Sequence, residues 1–136
     1  MKIYVAATFS DFSRARAAMA QLRAAGAVIT YDWTVNVDAY PNDDAPDDHA
    51  ASEAFSDLRG VRDADAVLVL TQADHARGCG MWIEMGAALA YGTPVYIVGP
   101  QRTRSIFCTL AAGYETDADA LRDLCSMAKR YPEEAA

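Results

Sequence analysis

The chain has 136 residues, a length suited to one domain with a core that needs neither disulfide nor metal. It is 52% hydrophobic and 23% charged, as ordinary globular proteins are, and its net charge of −7 with no basic run argues against a nucleic-acid polymer as partner. Three cysteines without CxxC spacing exclude a zinc finger or disulfide frame and fit a reducing, cytoplasmic setting.

Lys2 to Ala7 (KIYVAA) is a short β-rich apolar run, read as a buried strand, and it is too short for a membrane span or a signal peptide. A loop follows at Thr8–Asp11, with Ser10 or Asp11 as the expected N-cap. The spacing of Phe12, Ala15, Met19 and Leu22 predicts an amphipathic helix over 12–25, with Arg14, Arg16 and Arg23 largely off its apolar face. Gly26 ends it, and Ala27–Tyr31 (AVITY) is the second strand, so the chain opens with a right-handed βαβ unit.

Residues 35–49 are acidic and interrupted by Pro41 and Pro46, a long excursion that is either a lid or a solvated insertion. It lacks the D-x-D-x-D-G spacing of a calcium hand. Helical spacing returns over 50–62, with Ala51, Ala54, Leu58 and Val61 expected on one face. Val67–Leu70 (VLVL) is the third strand and Thr71–Gly80 a glycine-bearing loop. A helix over Met81–Tyr91 then stops at Gly92 and Pro94, before a buried strand at Val95–Val98. Residues 105–110 read equally as a short helix or an extended piece. A poor edge strand is expected within 111–115, and a closing helix over 117–130 with Leu121, Leu124 and Met127 inward. The last residues, from Tyr131 on, should fray.

This alternation predicts a single flavodoxin-like α/β domain spanning 1–136, a doubly wound parallel sheet of order 2-1-3-4-5 with helices on both faces. Ligands of such sheets bind beyond the strands' carboxyl ends where the strand order reverses, here between the first and third strands. The loops Thr8–Asp11 and Thr71–Gly80 meet there. With no G-x-x-x-x-G-K-[ST] and no G-x-G-x-x-G after the first strand, neither a nucleoside triphosphatase nor a dinucleotide enzyme is supported.

One acid, Glu84, stands near the start of helix 81–91, where the helix dipole is expected to favour its ionised form. Beside the uncovered backbone of Gly78 and Gly80 it is either a nucleophile or oxocarbenium stabiliser, or an acid that only stabilises the helix.

Three stretches carry a resemblance: KIYVA at the start, SDLRGVRDADAVLVL in the middle, and GMWIEMGAALAYGTPV. In these the chain resembles the nucleoside 2-deoxyribosyltransferase family, including its nucleotide N-hydrolase relatives, over about Lys2 to Val98. The resemblance implies cleavage of the N-glycosidic bond of a (2′-deoxy)nucleoside or its 5′-monophosphate through a glutamate nucleophile, Glu84. Asp57 matches the second carboxylate, the acid/base, with Asp63 and Asp65 as competitors by position. Tyr4 matches the tyrosine that orients the nucleophile. Ala7, Thr8 and Phe9, with Trp33, Gly78, Gly80 and Met81, would line the substrate. No metal or cofactor is implied. The partner would be a second copy of the chain, in a homodimer or higher homo-oligomer with two-fold symmetry across helices 50–62 and 81–91, segment 105–109 approaching the neighbour's site.

The chain departs from the family pattern at Gly78, where transferases carry an aspartate and monophosphate hydrolases a serine, and in Arg104–Leu110, which lacks the expected asparagine. Hydrolysis of a monophosphate is the first expectation, with Arg77, Arg102 and Arg104 available to the phosphate. Base exchange is the second, and a non-catalytic nucleotide sensor the rival from another class.

Overall fold

A computed structural model describes residues 1–39, 48–73 and 79–133. Five parallel strands, β1 (Lys2–Ala7), β2 (Val28–Ile29), β3 (Ala66–Leu70), β4 (Val95–Val98) and β5 (Ala112–Tyr114), form one sheet in the order β2-β1-β3-β4-β5. β1 and β3 make the longest pairing, from Ile3 opposite Ala66 to Ala7 opposite Leu70. Their side chains are buried on both faces, which is why these strands read as continuous apolar runs.

Alternation along the strands builds two cores. Ile3, Val5, Ala7, Leu68, Leu70 and Val98 pack under α1 (Phe12–Ala24) and α4 (Asp117–Arg130) through Ala15, Met19, Leu22, Leu121 and Leu124. Tyr4, Ala6, Val67, Val69, Val95 and Ile97 pack under α2 (Asp48–Asp63) and α3 (Cys79–Ala90) through Val61, Met81, Met85 and Ala88. Among the described residues no helix is long and apolar enough to cross a membrane.

The elements differ from expectation where polar groups outweigh pattern. The second strand shrinks from 27–31 to Val28–Ile29: the Thr30 N–H still bonds Ile3 O of β1 at 3.1 Å, but the side chains turn to α2, the Thr30 hydroxyl donating to Gly60 O at 2.7 Å and the Tyr31 hydroxyl to Glu53 Oε2 at 2.6 Å. Part of the 35–49 excursion is ordered, in a 3-10 helix over Trp33–Ala39 and the first turn of α2; the expectation of a lid rests largely on 40–47, outside the described residues. Residues 106–110 are a 3-10 helix whose cap Ser105 accepts from the Phe107 N–H.

Helix α2 keeps only part of its expected face. Ala51 and Ala54 are exposed and Leu58 is half-buried, while Val61 is buried as expected and Glu53, Asp57 and Gly60 turn toward the sheet with it. Arg14 also departs from expectation. It is partly buried, donates to Thr71 O at 2.8 Å, and pairs with Asp11 and Asp117, tying α1 to the start of α4. Asp11 occupies the N-cap position of α1 without capping it, since its carboxylate is engaged by Arg14.

The carboxyl ends of β3 and β4 are locked at Gly99, whose φ is +102° and whose added Cβ would lie 2.6 Å from Thr71 O and 2.8 Å from Thr71 Oγ1. Gly92, which ends α3, has φ +73° but open space around it. Alanine at Gly99 should therefore cost roughly 2–4 kcal/mol, from strain and collision together, and alanine at Gly92 about 1 kcal/mol from strain alone. Urea denaturation of the two variants checks this, and equal losses would contradict it.

Candidate active site

Three chain segments converge on the α2/α3 face of the sheet. β1 supplies Tyr4, fully buried because even-numbered residues of this strand face α2 and α3. α2 supplies Asp57 from its inward face. α3 supplies Glu84, next to Met85 and one turn from Met81 and Ala88, the buried side of that helix. Tyr4 and Asp57, 53 residues apart in sequence, meet directly: the Tyr4 hydroxyl donates to Asp57 Oδ1 at 2.9 Å.

Glu84 stands differently from expectation. α3 begins at Cys79 rather than Met81, which puts Glu84 in the second turn, beyond the strongest field of the helix end. Its Oε2 is buried and has no hydrogen-bond partner. Burial, and then the negative charge of Asp57, raise its proton affinity well above that of an ordinary glutamate, while interaction with the Tyr4 hydroxyl partly offsets them. These surroundings thus oppose ionisation of the carboxyl, the reverse of what the helix dipole alone suggests.

Asp57 is pushed up to about 6, by burial first and by the charge of Glu53 in addition, against the lowering effect of the Tyr4 bond. Tyr4 is raised well above 10.0, by burial and then by the two acids, so it remains a neutral donor. Glu53 lies four residues before Asp57 on the same helical face; it receives the Tyr31 hydroxyl, which is pushed up to about 12 by burial and by this bond. Its position at that spacing is the signal from which it could have been foreseen.

The other candidate residues surround this centre unequally. Ala7 and Thr8 are buried at the carboxyl end of β1, and Thr8 Oγ1 accepts from Gln72 Nε2 at 2.9 Å. Phe9 is half-buried at the start of a 3-10 turn. Trp33 is half-buried, touches both cores, and donates its indole N–H to Val5 O at 2.8 Å. Gly80 is exposed in the first turn of α3 with open space above it, whereas Met81 is buried in the core with Tyr4. Gly78 and Arg77 lie outside the described residues.

Of the competing acids, Asp65 accepts from Lys2 N at 2.7 Å at the amino-terminal end of the strands, and Asp63 is exposed and paired with Arg62. Arg102 is engaged with Gly99 O and Glu115, and Arg104 with Gln101. A depression of about 450 Å³ lined by Met1, Asp65, Met127, Tyr131, Pro132 and Glu133 also lies at the amino-terminal end of the strands, away from the carboxyl pair. Its Glu133 is taken up by the Met1 amine and Lys2. Among the described residues no group of three or more His, Cys, Asp or Glu is placed to hold a metal ion.

Two neighbouring acids with raised proton affinities, one of them with an orphaned oxygen, can exchange a proton and offer a carboxylate to an electron-poor carbon. Comparison with known proteins shows the family and the fold. Residues 3–131 match the family model described as nucleoside 2-deoxyribosyltransferase, so the similarity runs well past Val98. A 2-deoxyribosyltransferase from the psychrotolerant bacterium Bacillus psychrosaccharolyticus has a similar structure, with TM-score 0.61 and 18% identity over 96% of this chain and 92% of that one. The Clostridium botulinum CMP N-glycosidase BcmB is also similar, with TM-score 0.57 and 13% identity over 91% of this chain and 98% of that one. No curated protein matches the sequence.

The raised proton affinity of Asp57 has a cost that can be measured. The folded protein holds this proton more tightly than the unfolded chain, so its contribution to stability is lost as pH rises from about 4 through about 6. Asp57→Asn keeps an acceptor for Tyr4 and removes the buried charge. It should stabilise the protein by about 1–3 kcal/mol at pH 8 and by much less at pH 4, read by thermal or urea unfolding at both pH values.

Proposed function

Because the chain belongs to the nucleoside 2-deoxyribosyltransferase family, an enzyme family, we propose that it breaks the N-glycosidic bond of a (2′-deoxy)nucleoside 5′-monophosphate or nucleoside, with Glu84 as nucleophile. The observation that supports this most is the buried, unpartnered Glu84 Oε2 beside the Tyr4–Asp57 pair. A carboxylate oxygen without a hydrogen bond keeps its lone pairs free for carbon, and the neighbouring acid supplies the proton that bond cleavage requires.

In the first step the ionised Glu84 bonds to the sugar C1′ as the C1′–N bond breaks. The electron pair of that bond leaves on the base nitrogen, which takes a proton from Asp57. In the second step a water attacks C1′, gives its proton to Asp57, and releases Glu84 as a carboxylate. Before the first step the proton held by the acid pair must reside on Asp57 rather than Glu84. Tyr4, hydrogen-bonded to Asp57 and interacting with Glu84, fixes the two groups in register for that exchange. Phe9 and Trp33 form the walls toward the base. Position 78 is glycine, with neither the aspartate that the resemblance has in transferases nor the serine it has in monophosphate hydrolases; with the transferases' aspartate absent, hydrolysis is put before base exchange.

The proposal includes a second copy of the chain. Phe55 on α2 and Ile83 on α3 are 68% and 62% exposed, and Ile106, Phe107 and Leu110 of the 3-10 helix are 80%, 61% and 67% exposed. Apolar side chains this large and this numerous on one chain suit a two-fold interface across α2 and α3.

Glu84→Ala should lower base release to less than about a hundredth of wild type with the fold retained, and Asp57→Asn should lose on the order of 10²–10⁴-fold. Chromatography of released base from a panel of nucleosides and monophosphates, with and without an acceptor base, measures both. It also separates hydrolysis from exchange, since only exchange yields a new nucleoside. Full activity in Glu84→Ala would sink the nucleophile role. Sedimentation at micromolar concentration should show a dimer or a multiple of it; an active 14.7 kDa monomer would remove the shared interface.

A further inference from the structure

We propose that Gly60 is a positioning residue for the acid pair, the point at which α2 is pressed close enough to β1 for Tyr4 to reach Asp57. The inference rests on the reading of Tyr4, Asp57 and Glu84 as the site. A Cβ at position 60 would lie 2.9 Å from Tyr4 Cδ2, 3.0 Å from Tyr4 Cε2 and 2.9 Å from Tyr31 Cβ. None of these is the free end of a flexible chain: the Tyr4 ring is fully buried in the core, and Tyr31 Cβ is fixed to its backbone. A side chain at 60 must therefore push the helix outward or turn the ring.

What surrounds Gly60 makes that displacement chemical as well as steric. Its carbonyl is held from β2's side by the Thr30 hydroxyl at 2.7 Å. The two tyrosines that close on it each donate to an acid of the same helix, Tyr4 to Asp57 at 2.9 Å and Tyr31 to Glu53 at 2.6 Å. Glu53, Asp57 and Gly60 follow at spacings of four and three, on one helical face. Moving α2 outward at Gly60 thus lengthens the Tyr4–Asp57 bond first, three residues upstream.

The groups facing Asp57 are Tyr4 from β1, Glu84 from α3, Tyr31 from the end of the second strand's segment and Glu53 from its own helix. Of these only the Tyr4 bond holds its proton affinity down, so losing that bond lets the Asp57 midpoint climb further above about 6. The test is a 13C NMR titration of the Asp57 carboxyl, assigned by its disappearance in Asp57→Asn. Gly60→Ala should raise the midpoint, Tyr4→Phe should raise it as well, and the double variant should rise no further than Tyr4→Phe. kcat in Gly60→Ala should fall on the order of 10–100-fold with KM little changed. A wild-type midpoint in Gly60→Ala, or full additivity with Tyr4→Phe, overturns the inference. Thr30→Val, which loosens the same tether without adding bulk, should shift the midpoint by a smaller amount in the same direction. It decides the matter where Gly60→Ala does not fold, an unchanged midpoint then overturning the inference. If wild type releases no base from any nucleoside or monophosphate, the catalytic reading fails, and the titration still judges Gly60.

Discussion

Removing two carboxyl groups from water and holding them beside one tyrosine is the constraint around which this molecule is built. Either group alone, buried as an anion, would cost several kcal/mol, and proteins ordinarily answer that cost with a cation or a set of N–H donors. Here the groups facing Asp57 are two tyrosines and two further acids, and the cost appears as raised proton affinity instead. The Tyr4 hydroxyl has one proton to give, and Asp57 receives it, so a Glu84 oxygen is left without a partner.

That constraint explains why the tyrosine is on β1. A five-stranded parallel sheet covers its middle strands on both faces, and in the order β2-β1-β3-β4-β5 the strand beside the reversal is β1 itself. A side chain there is dry, and it stands where α2, descending from β2, and α3, rising from β3, come together. Small neighbours make room for the ring: Ala6 on the same strand face and Gly60 across from it. The opposite face, where Arg14 is tied to Asp11, Asp117 and Thr71 O, has the usual solution of a cation among carboxylates. The two faces of the sheet thus separate conventional ion pairing from the uncompensated acid pair.

The legibility of the sequence follows the same division. Apolar runs such as KIYVAA, VLVL and VYIV announce buried parallel strands because nothing competes with burial there, and the strand order comes with them. The faces of the helices were less readable. The apolar pattern in α2 points to Ala51 and Ala54, yet both are exposed, because the inward face of that helix is given to Glu53, Asp57 and Gly60. Periodicity assumes that acids face water, and it fails where tyrosine donors wait for them. The same holds for Thr30 and Tyr31, which read as strand residues: Thr30 keeps its N–H on Ile3 O of β1, and the side chains of both bind α2. Glu84, Asp57 and Tyr4 could be singled out by resemblance, but their electrostatic state could not: burial and the charge of Asp57, neither visible in the sequence, outweigh the helix dipole at Glu84.

On the proposed chemistry the unfavourable resting charge is itself useful. A nucleophilic carboxylate that was well solvated or well paired would be stabilised before the reaction, and that stabilisation would have to be given up as it moved onto carbon. In this site the ionised form of Glu84 is disfavoured by burial and by Asp57 until something positive arrives. The sugar at C1′ becomes positive only as the base departs, so the attraction to Glu84 is strongest in the transition state and small in the ground state. Transfer of the pair's proton from Glu84 to Asp57 before that step leaves Glu84 ionised and arms Asp57 toward the leaving base. Burial, which raises both proton affinities at rest, thus favours reaction over mere binding, and a scaffold with fully satisfied acids would lack that advantage.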